Sequence, residues 1–116
     1  MATSVNYFEI GTPNPQLAQS FYGGLFGWQI EQPSPAGYRM VDGGAGGLWD
    51  TTELGRGSWA IFYVGVEDVQ AAITQAQALG GTVLLPLIDN GAIEFAHLAD
   101  PEGNRFGVWR PKTPSD

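Results

Sequence analysis

The strongest structural signal in the sequence is the stretch from Tyr7 to Trp28, YFEIGTPNPQLAQSFYGGLFGW. Its beginning belongs to an alternating segment, Val5 to Gly11, which predicts a strand. Asn14 followed by Pro15 is typical of a helix start, because Asn caps free N–H groups and Pro suits the first helical position. Gly27 can end the helix in the left-handed conformation. The stretch therefore predicts a strand followed directly by a helix.

Apolar side chains recur at helical spacing along this helix, which predicts a buried face. We expect four aromatic side chains of this region to lie in the core: Phe21, Tyr22, Phe26 and Trp28. Prolines and paired glycines then separate short apolar runs, which is typical of strands joined by turns. Three further strands are predicted in this half, at Trp28 to Glu31, Gly37 to Val41 and Gly46 to Asp50.

The second half of the chain repeats the pattern of the first. Phe8 falls on Phe62 when the halves are aligned, and the closing tripeptide at residues 47–49 matches that at residues 107–109. Such self-similarity indicates a duplicated structural unit. The repeats cover about 4–52 and 58–111. The elements predicted for the second are a strand from Trp59 to Val66, a helix capped by Glu67 or Asp68, and strands at Thr82 to Leu87, Ala92 to Ala99 and Arg105 to Arg110.

The chain is thus predicted to be one domain, residues 1–116, of the α+β class. Each half has the order β-α-β-β-β, and a helix covers only one face of its sheet. We therefore expect two tandem βαβββ modules to form a curved mixed sheet, a cup whose concave face holds a small molecule.

The composition excludes several classes of function. The formal net charge is −7, so binding to nucleic acid or to an anionic membrane surface, both of which need a basic face, is not expected. No Cys is present, which removes disulfides, thiolate ligands and a Cys nucleophile. No signal peptide and no membrane span is evident, and a cytoplasmic location is expected.

Two groups of motifs resemble a known superfamily. The first is Tyr7-Phe8-Glu9-Ile10, Phe21-Tyr22 and Leu25-Phe26-Gly27-Trp28; the second is the closing hairpin, Asp100-Pro101-Glu102-Gly103-Asn104 followed by Phe106-Gly107-Val108-Trp109. Both are similar to vicinal-oxygen-chelate proteins, the superfamily of glyoxalase, bleomycin resistance protein and dioxygenase. The resemblance implies a glyoxalase-like fold and a homodimer. It leaves the reaction open, because the superfamily includes lyases, isomerases, dioxygenases and proteins that only bind drugs.

The resemblance also locates the positions at which metal-dependent members carry their ligands. In this chain those positions are Tyr7, Gly47, Ile61 and Gly107. None of them is His, Asp or Glu, the side chains that a divalent ion needs there. We therefore expect no metal site and no cofactor, although a site with shifted ligands remains an alternative.

Two side chains are candidates for acid–base chemistry. Glu9 lies two residues after Tyr7, so both face the same side of the strand. His97, the single His, could act as a base near neutral pH. The alternative for each is a structural role: Glu9 would be hydrogen-bonded within the fold, and His97 would lie at the surface or in a dimer contact.

Aromatic side chains on the predicted inner face suggest a groove for a planar or apolar ligand. The candidate ligand-binding residues are Tyr7, Tyr38, Trp49, Tyr63, Phe95 and Trp109. The first hypothesis is a metal-independent domain that binds an aromatic or apolar metabolite or drug. The second is a metal-free isomerase, cyclase or lyase that uses Glu9 or His97. The third is a metal-dependent lyase or dioxygenase with shifted ligands.

Overall fold

A computed structural model of the chain describes residues 3–113. Within that range the elements are β1 (Val5–Thr12), α1 (Pro15–Phe26), β2 (Tyr38–Val41), β3 (Gly46–Asp50), β4 (Trp59–Gly65), α2 (Val69–Ala78), β5 (Thr82–Asp89), β6 (Ile93–Ala99) and β7 (Arg105–Pro111). The chain divides into two compact units: the first is Tyr7–Ile61, and the second is formed by the described residues on either side of it. The α+β class predicted from the sequence is confirmed. None of the helices within residues 3–113 has the length and apolar character needed to cross a membrane.

The first unit pairs β3 with strands on both sides. β3 is parallel to β1 and antiparallel to β2, so the pairing is mixed as predicted. The strand predicted over Trp28 to Glu31 is wrong, since this segment makes only an isolated bridge between Ile30 and Val41. The chain soon reaches Pro33 and Pro35, which lack the N–H groups that a longer ladder would use.

The second unit carries the complete β-α-β-β-β order. β4 is parallel to β7, and β7 and β5 flank β6 in antiparallel pairs. Five buried apolar side chains, contributed by α2, β6 and β7, form its core: Val69, Ile73, Ala96, Leu98 and Val108. The strands β5 and β7 extend slightly beyond the predicted bounds.

The parallel strand pairs of the two units follow the same register. Glu9 of β1 lies opposite Gly47 of β3, and Tyr63 of β4 lies opposite Gly107 of β7. These are the positions that the sequence alignment of the two halves matches. The expectation that the two halves enclose a common hollow stays a prediction.

The caps of α1 are the ones predicted, but the predicted buried face of the helix is not found. The Asn14 side chain accepts a hydrogen bond from the Leu17 N–H at 3.2 Å, and Gly27 ends the helix at φ 72°. Nevertheless α1 has no buried residue. The expectation of core positions is wrong for Phe21 and Phe26, which are 58% and 56% exposed. Helical spacing identifies an apolar stripe, but it does not say whether this chain covers that stripe.

Part of the expected aromatic core does form beside α1. Tyr22 stacks on Trp28 at a ring-centroid distance of 5.8 Å, and Trp28 packs on Phe8 of β1 at 5.2 Å. Both Tyr22 and Trp28 are half-buried. The helix covers one face of the β1–β3 pair through these contacts, and the opposite face carries Glu9.

Candidate functional site

Glu9 is the buried acidic side chain of the first unit, with 2% of its surface exposed. The Tyr38 hydroxyl donates a hydrogen bond to its Oε1 at 3.0 Å, and the Trp59 indole N–H donates to its Oε2 at 2.9 Å. A buried carboxylate requires such donors, because its desolvation is costly. Both oxygens are therefore engaged by donors from neighbouring aromatic residues.

Two glycines make the approach of these aromatic rings possible. A Cβ atom on Gly47 would overlap the Tyr38 ring, and a Cβ atom on Gly11 would overlap the Trp59 indole. Each ring therefore lies directly over a glycine, with its polar end at Glu9. Gly47 is one of the positions at which the resemblance to the superfamily implies a ligand in metal-dependent members. In the structure, the Tyr38 ring fills that space.

A second tyrosine extends the hydrogen-bonded chain away from Glu9. The Tyr7 and Tyr38 hydroxyl oxygens are 2.8 Å apart, and the Met40 sulfur lies 3.9 Å from the Tyr7 oxygen. Burial raises the pKa of Tyr7 above 10.0, the hydrogen bond with Tyr38 opposes that shift, and the negative charge of Glu9 adds to it. The phenol of Tyr7 therefore stays neutral to a higher pH than an ordinary tyrosine does.

Trp49 completes the aromatic wall around Glu9. Its ring meets Tyr38 edge-on at 6.1 Å and Trp59 edge-on at 6.1 Å, an arrangement that aromatic quadrupoles favour. Tyr7, Tyr38, Trp49 and Trp59 are all half-buried, so each keeps part of its surface exposed. We call these four side chains together with Glu9 the Glu9 cluster.

The second unit builds a comparable arrangement around His97, which is fully buried. A Cβ atom on Gly107 would overlap the Tyr63 ring, and the Tyr63 hydroxyl lies 2.6 Å from His97 Nε2. The Arg105 guanidinium lies 2.8 Å from His97 Nδ1. Because a guanidinium only donates, Nδ1 accepts and the ring proton lies on Nε2. The nitrogen lone pair that a general base would use is therefore engaged by Arg105.

The predicted site residues thus fall into two groups. Tyr7, Glu9, Tyr38 and Trp49 come together in the first unit, whereas the second unit brings together Tyr63, Phe95, His97 and Trp109. In the latter, Phe95 lies opposite Trp109 across β6 and β7, and its ring is 6.4 Å from His97. The Trp109 indole N–H donates to the Asn6 side chain at 3.0 Å.

Trp59 is the site residue that the sequence analysis missed. The sequence predicts it only as the first residue of a strand, and no motif distinguishes it. The signal was its position on a strand face: Trp59, Ile61 and Tyr63 alternate along β4, and Tyr63 was already a candidate.

The donor set of the Glu9 cluster does not fit a divalent metal ion. One carboxylate, two phenols and an indole N–H surround the site, and an indole N–H cannot ligate. Across residues 3–113 there is no group of three or more His, Asp or Glu side chains that could hold a metal ion. At two of the superfamily ligand positions, Gly47 and Gly107, tyrosine rings occupy the space that a ligand would need.

A separate open groove of about 580 Å³ lies between α1 and the adjoining ends of β1 and β4. Leu17, Phe21 and Tyr22 line its helix side, and Ile10 and Trp59 line its strand side. Trp59 thus contributes to the groove as well as donating to Glu9. The groove has no Asp, Glu, Lys, Arg or His among its lining residues.

The comparisons with known proteins agree with this architecture. Residues 7–109 match the family model of the glyoxalase-like domain, and the chain belongs to this family. It is 29% identical over 126 aligned positions to the anthracycline biosynthesis protein DnrV of Streptomyces peucetius, and 29% identical over 126 positions to DauV of Streptomyces sp. strain C5. Each alignment covers 90% of this chain and 46% of the relative. The chain therefore spans less than half the length of these curated relatives.

A solved structure with the same fold is a glyoxalase/bleomycin resistance protein/dioxygenase superfamily member from Vibrio splendidus 12B01. The TM-score is 0.64 at 17% sequence identity, and the match covers 96% of this chain and all of the other. At this identity the likeness establishes the fold alone, which is the glyoxalase-like fold predicted from the sequence.

Proposed function

We propose that this domain binds a planar aromatic small molecule against the Glu9 cluster and does so without a metal or another cofactor. The observation that carries the proposal is the set of four half-exposed aromatic side chains held around one buried carboxylate. Aromatic walls with a small number of placed polar groups are typical of sites for organic ligands.

The hydrogen bonds of Glu9 support a binding role for the cluster. Tyr38 and Trp59 each carry a ring on a flexible side chain, and Glu9 holds both by their polar ends. Trp49 packs against both rings. Rings held in this way are ordered before a ligand arrives, so less conformational entropy is lost on binding.

The names of the relatives support an aromatic ligand. DnrV and DauV are named as anthracycline biosynthesis proteins, and anthracyclines contain a planar anthraquinone ring system. An anthraquinone is therefore a suitable first probe. The ligand of this chain would share the flat aromatic shape, whichever compound it is.

Fluorescence titration with 2-hydroxyanthraquinone tests the proposal. We expect saturable quenching of tryptophan fluorescence, and we expect Trp49→Leu to weaken binding about two- to tenfold, since stacking contributes roughly 0.5–1.5 kcal/mol beyond the area buried. Phe62→Leu is the matched control, because Phe62 is an exposed aromatic residue outside the Glu9 cluster. Equal affinity of wild type, Trp49→Leu and Phe62→Leu would argue against the site.

A metal-free enzyme is the second candidate function. It is favoured by the unbroken hydrogen-bonded chain from half-buried Tyr7 through Tyr38 to Glu9, which could move a proton. Mass spectrometry of the ligand after incubation separates the two candidates. Intact ligand supports binding alone, and a product formed by wild type but not by Tyr7→Phe supports catalysis.

We further propose that the domain is a homodimer. The exposed apolar side chains on α1 support this, because monomeric proteins rarely leave large apolar patches in water. Sedimentation velocity measures the oligomeric state directly.

A further inference from the structure

The hydrogen bonds of the Glu9 cluster have a defined direction. Each tyrosine hydroxyl carries one proton, and a carboxylate is a stronger acceptor than a neutral phenol. Tyr38 therefore gives its proton to Glu9 Oε1 at 3.0 Å. The 2.8 Å contact between the two phenol oxygens then needs the proton of Tyr7. Protons thus point along the chain from Tyr7 to Tyr38 to Glu9.

This direction determines what Tyr7 can offer to a ligand. Its only proton lies between the Tyr38 oxygen and the Met40 sulfur, and the oxygen is the stronger acceptor, so a further hydrogen bond at the Tyr7 oxygen must be one that it accepts. Tyr7 is half-buried, and its ring belongs to the aromatic wall. A ligand stacked on that wall would therefore meet an acceptor at Tyr7.

The charge around Tyr7 limits the ligand further. Burial, and to a smaller extent the negative charge of Glu9, raises the pKa of Tyr7, so a second negative charge near the Tyr7 oxygen is disfavoured. An ionised hydroxyl or carboxylate on the ligand edge would meet the same repulsion. A neutral hydrogen-bond donor on the ligand edge would meet no such repulsion.

We infer that Tyr7 is a specificity-determining residue that selects planar aromatic ligands carrying a neutral hydrogen-bond donor, such as a phenolic hydroxyl, on the ring edge. This inference rests on the proposed function, because it assumes that an aromatic ligand occupies the Glu9 cluster. The selectivity comes from the proton direction that Glu9 imposes through Tyr38.

Two probes that differ only in this donor test the inference. Wild-type protein is titrated with 2-hydroxyanthraquinone and with its 2-methoxy ether, at a pH below the pKa of the hydroxy probe. We expect the hydroxy probe to bind about three- to tenfold more tightly, which is the usual effect of one neutral hydrogen bond. The ether oxygen can only accept, and Tyr7 has no proton to give it.

Two variants show whether the preference arises at Tyr7. In Tyr7→Phe the acceptor is gone, so the two probes should bind with equal affinity. In Glu9→Gln the amide N–H can donate to Tyr38, which then turns its proton towards Tyr7 and leaves Tyr7 able to donate to the ether. The preference should again disappear. Tyr22→Phe, a tyrosine on α1 outside the cluster, should keep the wild-type preference.

The outcomes separate the inference from the function on which it rests. Equal affinity of both probes for wild type overturns the inference and leaves the proposed function standing. A preference that persists unchanged in Tyr7→Phe also overturns it. Absence of binding of either probe to wild type overturns the proposed function itself.

Discussion

Removing the Glu9 carboxylate should destabilise the first unit, and the loss should be smaller in Glu9→Gln than in Glu9→Leu. In Glu9→Gln both hydrogen bonds can still form, because the amide oxygen accepts from Trp59 and the amide nitrogen donates to Tyr38. Each bond loses its charge assistance, which is worth roughly 1 kcal/mol per bond. The lower desolvation cost of a neutral amide offsets part of this loss. We expect a decrease in the free energy of unfolding of about 1–2 kcal/mol.

Glu9→Leu should cost more, although leucine is apolar and the site is buried. The Tyr38 hydroxyl can rotate towards Tyr7, but the Trp59 N–H is fixed in the indole ring and loses its acceptor. A buried donor that loses its acceptor costs about 1–3 kcal/mol. Together with about 1–2 kcal/mol of lost charge assistance, the total should reach about 2–5 kcal/mol, or a fall in Tm of roughly 4 °C for each kcal/mol in a domain of this size.

Urea denaturation monitored by circular dichroism measures the free energy of unfolding of both variants without relying on the fluorescence of the perturbed tryptophans. Glu53→Gln is the matched control: Glu53 is exposed, and we expect its replacement to change stability by less than about 0.5 kcal/mol. The reasoning is refuted if Glu9→Leu is as stable as wild type. It is refuted equally if Glu9→Gln proves more damaging than Glu9→Leu.

Three further predictions concern other parts of the chain. Gly47→Ala should destabilise the protein by about 1–3 kcal/mol in thermal denaturation, because the new Cβ overlaps the Tyr38 ring. Its control is Gly24→Ala in α1, where a Cβ meets nothing within 4 Å, and this substitution should stabilise the protein by about 0.5–1 kcal/mol. The opposite order of stabilities would contradict the packing described. Since burial raises the pKa of Tyr7, this phenol ionises first in the unfolded chain as the pH rises past 10.0. The free energy of unfolding of the wild type should therefore fall in that range, and the fall should be smaller in Tyr7→Phe. Identical alkaline profiles of the two proteins in urea titrations would disprove this. If α1 forms the dimer contact, the double variant Leu17→Lys and Phe21→Lys should sediment as a monomer with a near-normal circular dichroism spectrum, whereas an unchanged dimer would place the contact elsewhere.

The sequence predicted the fold well where the pattern is local. The caps at Asn14 and Gly27 were found because each depends on a few adjacent residues. The alignment of Gly47 with Gly107 anticipated the common register of the parallel pairs, because duplicated units keep their pairing. The pattern from Trp28 to Glu31 predicts a strand, but only Ile30 pairs with β2, because Pro33 and Pro35 follow and cannot donate to a longer ladder.

The candidate site was predicted only in part. The shared face of Tyr7 and Glu9 follows from strand alternation, and the structure places both in one cluster. That the Tyr38 ring covers Gly47 could not be derived, since ring placement depends on side-chain conformation and on pairing across three strands. The exposure of Phe21 was missed for a related reason: an apolar stripe is the same in sequence whether the same chain, a ligand or a second copy covers it.

The indole N–H resonances of the four tryptophans offer the most direct measurement of ligand binding at the Glu9 cluster. In heteronuclear NMR spectra recorded during titration with 2-hydroxyanthraquinone, the signals of Trp49 and Trp59 should shift together and saturate, while that of Trp28 should stay in place. We expect Trp49→Leu to weaken this response and Glu9→Gln to change the Trp59 signal even without ligand. Shifts confined to Trp28, or spectra that the ligand leaves unchanged, would contradict it.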